Sequence, residues 1–86
     1  MIRTPIHLSG YDPLKRHQAV QFVQTAGRYD ARVMLEHGSK LVNGKSMLGL
    51  LSLGIVGNDP VYLIVEGDDE TQANAAMLEL LEKGFE

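Results

Sequence analysis

The spacing of apolar residues along this chain changes repeatedly between the period of a strand and the period of a helix. In residues 2–8 the apolar side chains sit at even positions, which is the alternation of a half-buried strand. A helical stripe follows, with apolar residues at i, i+3, i+4 and i+7: Ala19, Phe22, Val23 and Ala26. A chain with both periods must build its core by packing helices against a sheet.

The apolar pattern and its turn residues together predict seven elements. Strands are expected at 2–8, 33–35, 41–43 and 61–65, and helices at 17–26, at 47–53 and from the acids 68–70 to the stop signals 83–84. The turn "HGSK" at 37–40 joins the second and third strands as a hairpin. Pro5 cannot donate a backbone hydrogen bond, so the first strand should lie at a sheet edge.

A helix buries its apolar stripe against the sheet, so all three helices should cover the same side of one sheet and leave the other side wet. The expected fold class is therefore α/β (α+β), an open-faced two-layer sandwich with the element order βαββαβα. A length of 86 residues allows one domain, 1–86, with one core.

Composition excludes several classes of function. The formal net charge of −3 argues against nucleic acid as a direct partner, and no cysteine is present for a disulfide or a thiolate metal site. No leader or membrane-spanning segment is apparent at the beginning of the chain, so we expect a cytoplasmic protein with no membrane contact. His7 and His37 have no partner ligands at metal-binding spacing and are interpreted as surface residues, so no metal or cofactor is expected.

The stretch "LVNGKSMLGLLSLG" turns from polar to apolar at Ser46. After the turn Asn43-Gly44, Ser46 is a favourable N-cap for a helix over 47–53, with Gly54 as its C-terminal stop. The apolar residues of so short a helix occupy more than one face, so some of Met47, Leu48 and Leu51 should be exposed beside Ser46. An exposed apolar patch with a polar rim suggests a docking surface.

This stretch, with "FVQTAGRYDARVMLE" before it and "GDDETQA" after it, resembles the histidine-containing phosphocarrier (HPr) family of the bacterial sugar phosphotransferase system. The resemblance implies a sheet of four antiparallel strands with three helices on one face. It also implies that Ser46 is the serine that HPr kinase/phosphorylase phosphorylates in Gram-positive members, after which the protein acts as corepressor for the catabolite control protein.

The chain departs from the family at the phosphorylated histidine. Members that carry phosphate have Gly-Ile-His-Ala-Arg-Pro at the entrance to helix one, and an ungapped count places Lys15 at the histidine, His17 at the arginine and Gln18 at the proline. A protonated lysine is no nucleophile toward phosphohistidine, so relay through Lys15 is not expected. A displaced relay through His17, with Arg16 as the phosphate clamp, stays open as an alternative.

The resemblance and the departure together predict an HPr-like regulatory protein of the Crh type, which is not an enzyme. Its expected partners are HPr kinase/phosphorylase and the catabolite control protein, with enzyme I as a further partner if His17 relays phosphate. A basic cluster of Lys15, Arg16 and His17 with Arg28 is either a solvated helix entrance or a landing site for an acidic partner. The expected partner-binding residues are Lys45, Met47, Leu48, Leu51, Lys15, Arg16 and His17. The second alternative is a diverged scaffold in which Ser46 is only a helix cap.

Overall fold

Four antiparallel strands form one sheet in the computed structural model, which describes residues 1–6, 16–52 and 61–83. The strands lie in the order β1-β4-β2-β3 and are β1 (Ile2–Ile6), β2 (Arg32–His37), β3 (Lys40–Asn43) and β4 (Val61–Glu66). The helices are α1 (Arg16–Ala26), α2 (Met47–Leu51) and α3 (Glu70–Glu82). The predicted order βαββαβα, the hairpin of β2 and β3 and the edge position of β1 are all confirmed.

The core lies between one face of the sheet and the three helices. Val33 pairs with Val65 and Leu35 with Leu63 across β2 and β4, and all four side chains are fully buried. The helices cover these strands with buried side chains from each of them, among them Phe22, Leu50 and Met77. This confirms the open-faced two-layer sandwich, because a single apolar sheet face collects the apolar stripe of every helix.

The opposite face of the sheet is not uniformly wet, contrary to the expectation. Ile64 is only 7% exposed, because it lies between Arg3 and Met34 in the strand register and their long side chains flank it. The guanidinium of Arg3 also lies 3.7 Å from the centre of the Tyr62 ring and donates to Glu36 Oε1 at 2.6 Å. Cation–π and ion-pair contacts thus cover part of the face that no helix covers.

Helix α2 ends earlier than predicted. Its last residue is Leu51 and its C-cap is Ser52, whose backbone N–H donates to the carbonyl of Leu48. Ser52 Oγ donates to the carbonyl of Gly49, and Lys40 Nζ from β3 donates to the carbonyl of Ser52. These bonds satisfy carbonyl groups at the end of the helix, where a cation is also favourable. Gly54, the predicted stop, lies outside the described residues, as do His7 and Leu8 of the predicted first strand.

The acids at the beginning of α3 are placed as predicted, with Glu70 in the first turn, but Asp69 has a further role. Asp69 is the N-cap residue but makes no side-chain capping bond. Its carboxylate instead accepts the backbone N–H groups of Asp30 at 2.9 Å and Ala31 at 2.8 Å. Gly67 lies against the same loop at φ 151°, and a Cβ there would be 2.7 Å from the Cα of Ala31. The beginning of α3 is therefore tied to the segment that leads into β2.

Asp69 should make the stability of the fold depend on pH. The bonds from the N–H groups of Asp30 and Ala31, with a smaller attraction from Lys45, hold the pKa of Asp69 below its usual value. A carboxyl with a lowered folded pKa stabilises the fold above its unfolded pKa of about 3.9, and this contribution is lost as the pH falls through the folded pKa. Urea unfolding of Asp69→Asn should therefore show a loss of stability at pH 7 that shrinks progressively below about pH 4.

The matched control for this experiment is Asp68→Asn. The side chain of Asp68 is exposed and lies one residue away, so the same change of charge should leave the free energy of unfolding at pH 7 nearly unchanged. A stability difference between wild type and Asp69→Asn that stays constant from pH 7 to pH 2.5 would contradict the role assigned to the carboxylate.

Candidate functional site

Ser46 caps the N-terminus of α2, as the sequence predicts. Its backbone is extended, with φ −115° and ψ 121°, and its Oγ accepts the N–H of Gly49 at 3.2 Å. The carbonyl of Ser46 accepts the N–H of Leu50 at 3.1 Å. Ser46 is half-exposed as a residue and the bond to its Oγ is partly buried, so the side chain caps the helix near the protein surface.

The turn before Ser46 is fixed against the core. Gly44 donates its N–H to the carbonyl of Val33 at 2.7 Å, and a Cβ at this position would lie 2.9 Å from the Phe22 ring and from the Val33 side chain. Only glycine fits a backbone that approaches its neighbours this closely. Asn43 closes the turn, because its Oδ1 accepts the N–H of Lys45 at 2.9 Å and its carbonyl accepts the N–H of Ser46 at 3.1 Å.

Lys45 points toward the α1–β2 loop. Its Nζ donates to the carbonyl oxygen of Tyr29 at 2.7 Å, and the side chain is half-buried. The ammonium therefore has a partner within the protein, although Lys45 was expected to contact a partner protein. No local pattern in the sequence indicates this contact, because it joins residues 16 positions apart.

The apolar residues of α2 divide between the core and the surface. Leu50 is buried, whereas Leu48 is 83% exposed and Leu51 is 45% exposed. Met47 is half-buried and packs against the core cluster, so it is not an exposed member of the patch. We define the α2 patch as Leu48 and Leu51. The expectation of exposed apolar side chains beside Ser46 is confirmed for these two residues.

The basic residues near α1 do not form one cluster. Arg16 and His17 are exposed in the first turn and line a shallow cleft with Val20 and Gln21. Arg28 follows the other end of α1, where it lines a separate groove against α3. A helix of 11 residues rises about 1.5 Å per residue, so it separates the two basic sites by roughly 15 Å. The prediction that joined Arg28 to Arg16 and His17 was wrong.

Other residues singled out from the sequence are placed as follows. Gln18 is buried, and His37 is half-buried near the hairpin turn. Lys15 and His7 lie outside the described residues. Within 1–6, 16–52 and 61–83, no three His, Asp or Glu side chains lie together as metal ligands, and no helix is long and apolar enough to cross a membrane.

Comparison with known proteins decides the family. The family model of the PTS HPr component phosphorylation site matches residues 13–83, a range that includes Ser46 and all three helices. The chain belongs to the HPr family. The HPr-like protein Crh of Halalkalibacterium halodurans is 35% identical over 83 residues, which cover 96% of this chain and 99% of that protein. The HPr-like protein Crh of Bacillus subtilis is 37% identical over 73 residues, covering 85% and 86%.

A solved HPr structure is similar over nearly the whole chain. The crystal structure of HPr-C-His from Thermoanaerobacter tengcongensis superposes with a TM-score of 0.88 at 36% identity, covering 99% of this chain and 96% of that one. The resemblance to HPr and to Crh-type proteins is thereby confirmed. HPr-family proteins carry phosphate or regulate other proteins rather than catalyse reactions, and they interact with phosphotransferase-system proteins or with a kinase.

The two neighbouring apolar residues at the beginning of α2 should respond differently to a charge. Met47→Asp should lower the free energy of unfolding by more than about 1 kcal/mol, because it places a carboxylate against the core cluster. Leu48→Asp, the matched control one residue away, should stay within about 0.5 kcal/mol of wild type. Urea unfolding measures both, and equal losses for the two variants would show that the exposure of Leu48 does not hold in solution.

Proposed function

We propose that this chain is an HPr-like regulatory protein of carbon catabolite control, which phosphorylation of Ser46 converts into a form that binds a transcription regulator. The observation that carries this proposal is the half-exposed cap residue Ser46, which precedes the exposed α2 patch in a chain similar to Crh proteins. Residues that serve only the core would not leave Leu48 almost fully exposed two positions after the cap.

The modification is a phosphoryl transfer to Ser46 Oγ. HPr kinase/phosphorylase would move the γ-phosphoryl group of ATP to this oxygen, so that a P–O bond forms, the O–H proton is released and ADP leaves. The product carries about −1.5 to −2 additional charges and three acceptor oxygens. The N–H of Gly49, which already donates to Oγ, can donate to a phosphate oxygen instead. The fold therefore needs little change to accept the group.

The regulator would bind two kinds of group on this protein at the same time. The phosphate offers acceptors for arginine or lysine side chains, and the α2 patch of Leu48 and Leu51 offers apolar area. Arg16 and His17 are exposed on α1, which packs against α2, and they add positive charge for acidic residues of the partner. On this proposal Lys15 is a further contact residue, and the regulator is the catabolite control protein of the family.

An alternative function is phosphate relay through a displaced histidine. The favourable observation is that His17 is exposed in the first turn of α1 next to Arg16, at a shallow cleft. A neutral imidazole is a suitable nucleophile near neutral pH. The arginine and proline of the carrier motif have no counterpart after His17, because a motif moved to this histidine would have Ala19 and Val20 at those positions. In a third reading, the bond from Gly49 makes Ser46 a cap and nothing more, and the chain is an interaction scaffold.

Kinase treatment tests the regulatory proposal. After incubation with HPr kinase/phosphorylase and ATP, mass spectrometry should find one phosphate on wild type, and the product should bind the catabolite control protein where the unmodified protein does not. Ser46→Ala should take up no phosphate and fail to bind, although it also loses roughly 1 kcal/mol of capping. Ser46→Asp should bind weakly, because a carboxylate has one charge and two oxygens.

The matched control is Ser52→Ala, which removes a hydroxyl from the other end of the same short helix. It should be phosphorylated and bound like wild type. Equal binding of kinase-treated wild type and Ser46→Ala, or the absence of phosphate from wild type, would leave Ser46 as a cap only.

Incubation with enzyme I and phosphoenolpyruvate tests the relay alternative. We expect no acid-labile phosphate on the protein, because Lys15 stands at the family's histidine and His17 lacks the arginine that follows it in carriers. Radiolabelled phosphoenolpyruvate with separation at neutral pH is the measurement. Stoichiometric labelling that is lost in His17→Ala and kept in His37→Ala would place the chain among the carriers instead.

A further inference from the structure

Lys45 links the turn that carries Ser46 to a segment elsewhere in the chain. Its ammonium donates to the carbonyl oxygen of Tyr29 at 2.7 Å in a partly buried contact. Tyr29 lies after the end of α1 and packs against the core cluster, so the bond holds a defined point of the α1–β2 loop. The residue before the modified serine therefore contributes to the position of that loop.

The same loop is held from its other side by Asp69. The carboxylate accepts the N–H groups of Asp30 and Ala31, directly after the carbonyl that Lys45 binds. We call residues 29–31 the clamped segment. The charges of Lys45 and Asp69 also attract each other, and this attraction contributes to the lowered pKa of Asp69. The clamped segment thus has a cation bound to its carbonyl oxygen and an anion bound to its N–H groups.

A phosphate on Ser46 would compete for the ammonium of Lys45. The two residues are adjacent, so their Cα atoms are about 3.8 Å apart, and the flexible stem of a lysine can direct its three N–H donors to either acceptor. A bond to a charged phosphate is roughly twice as strong as one to a neutral carbonyl oxygen. The unmodified hydroxyl is a neutral acceptor, so it does not compete in this way for the ammonium that binds the Tyr29 carbonyl.

We propose that Lys45 transmits phosphorylation of Ser46 to the clamped segment by moving its ammonium from the carbonyl oxygen of Tyr29 toward the phosphate. The segment then keeps its bonds to Asp69 and loses its bond to the cation. Exposed Asp30 consequently belongs to the surface that differs between the two forms of the protein. The regulatory meaning of this coupling rests on the proposed function, whereas the coupling itself requires only a phosphate at residue 46.

NMR of protein with phosphoserine encoded at position 46 tests the coupling without any kinase. The readouts are the carbonyl 13C shift of Tyr29 and the amide 15N shift of Asp30, which report the hydrogen bond to that carbonyl. Phosphoserine in the wild-type background should move both shifts most of the way toward the values of unmodified Lys45→Met. In the Lys45→Met background, phosphoserine should change the shifts of α2 and leave those of Tyr29 and Asp30 in place.

Lys40→Met is the matched control, because Lys40 also donates its ammonium to a backbone carbonyl, that of Ser52 at the other end of α2. It should shift the Ser52 carbonyl and preserve the response of Tyr29 to phosphoserine. Shifts confined to the turn and α2 in the phosphoserine protein would overturn the coupling, and so would an equal Tyr29 response with and without Lys45. Either result leaves the regulatory proposal standing, since kinase treatment and regulator binding test that separately.

Discussion

The sheet has a single helix-covered face, and the rest of the structure depends on this constraint. Val33, Leu35, Leu63 and Val65 form a fully buried apolar surface on β2 and β4 that only helices can cover. Two long helices and one short helix share that surface, and α2 has five residues with which to cover its part. A helix of that length buries Leu50 and part of Met47 and has no second apolar surface for Leu48. The architecture therefore leaves position 48 exposed, although the core does not require an apolar residue there.

The position of Ser46 depends on the same core. Gly44 rests on Phe22 and Val33, so the backbone of the turn is fixed by side chains that also hold α1 against the sheet. The hydroxyl two residues later is thereby presented at a defined place, while its immediate surroundings are half-exposed. A side chain held in one position by the core is favourable for recognition, both by a kinase and by a protein that binds the phosphorylated form, as the proposed function needs.

Local features of this fold could be predicted from the sequence, because they depend on neighbours within a few residues. The strand and helix periods, the edge position marked by Pro5 and the capping by Ser46 are of this kind. Five helical residues are too few for a period to show that Met47 turns inward and Leu48 outward. Which of the two side chains is buried depends on the positions of α1 and β3, which pack against α2. The local sequence pattern carries no information about those positions.

The contacts that sequence reasoning missed join distant parts of the chain. The bonds from Lys45 to Tyr29 and from Ala31 to Asp69 span 16 and 38 residues, and no motif marks either pair. The sequence predicts acids at the beginning of α3, where Asp69 lies, but it does not show that the carboxylate accepts backbone N–H groups of a neighbouring loop. Arg28 lies close to Arg16 in the sequence, but the full length of α1 separates the two residues in the structure.

The bond from Lys40 to the carbonyl of Ser52 has a consequence for the order of folding. It spans 12 residues, and the bonds of Asn43 to Ser46 and of Ser46 to Gly49 lie inside that span. Short spans lose little entropy on closure, so this region can regain its hydrogen bonds on a faster timescale than the pairing of β1 with β4, which joins distant residues such as Ile2 and Val65. The short-range bonds around Ser46 can therefore form early, whereas the fixed position of the turn follows only when Phe22 and Val33 pack beneath Gly44.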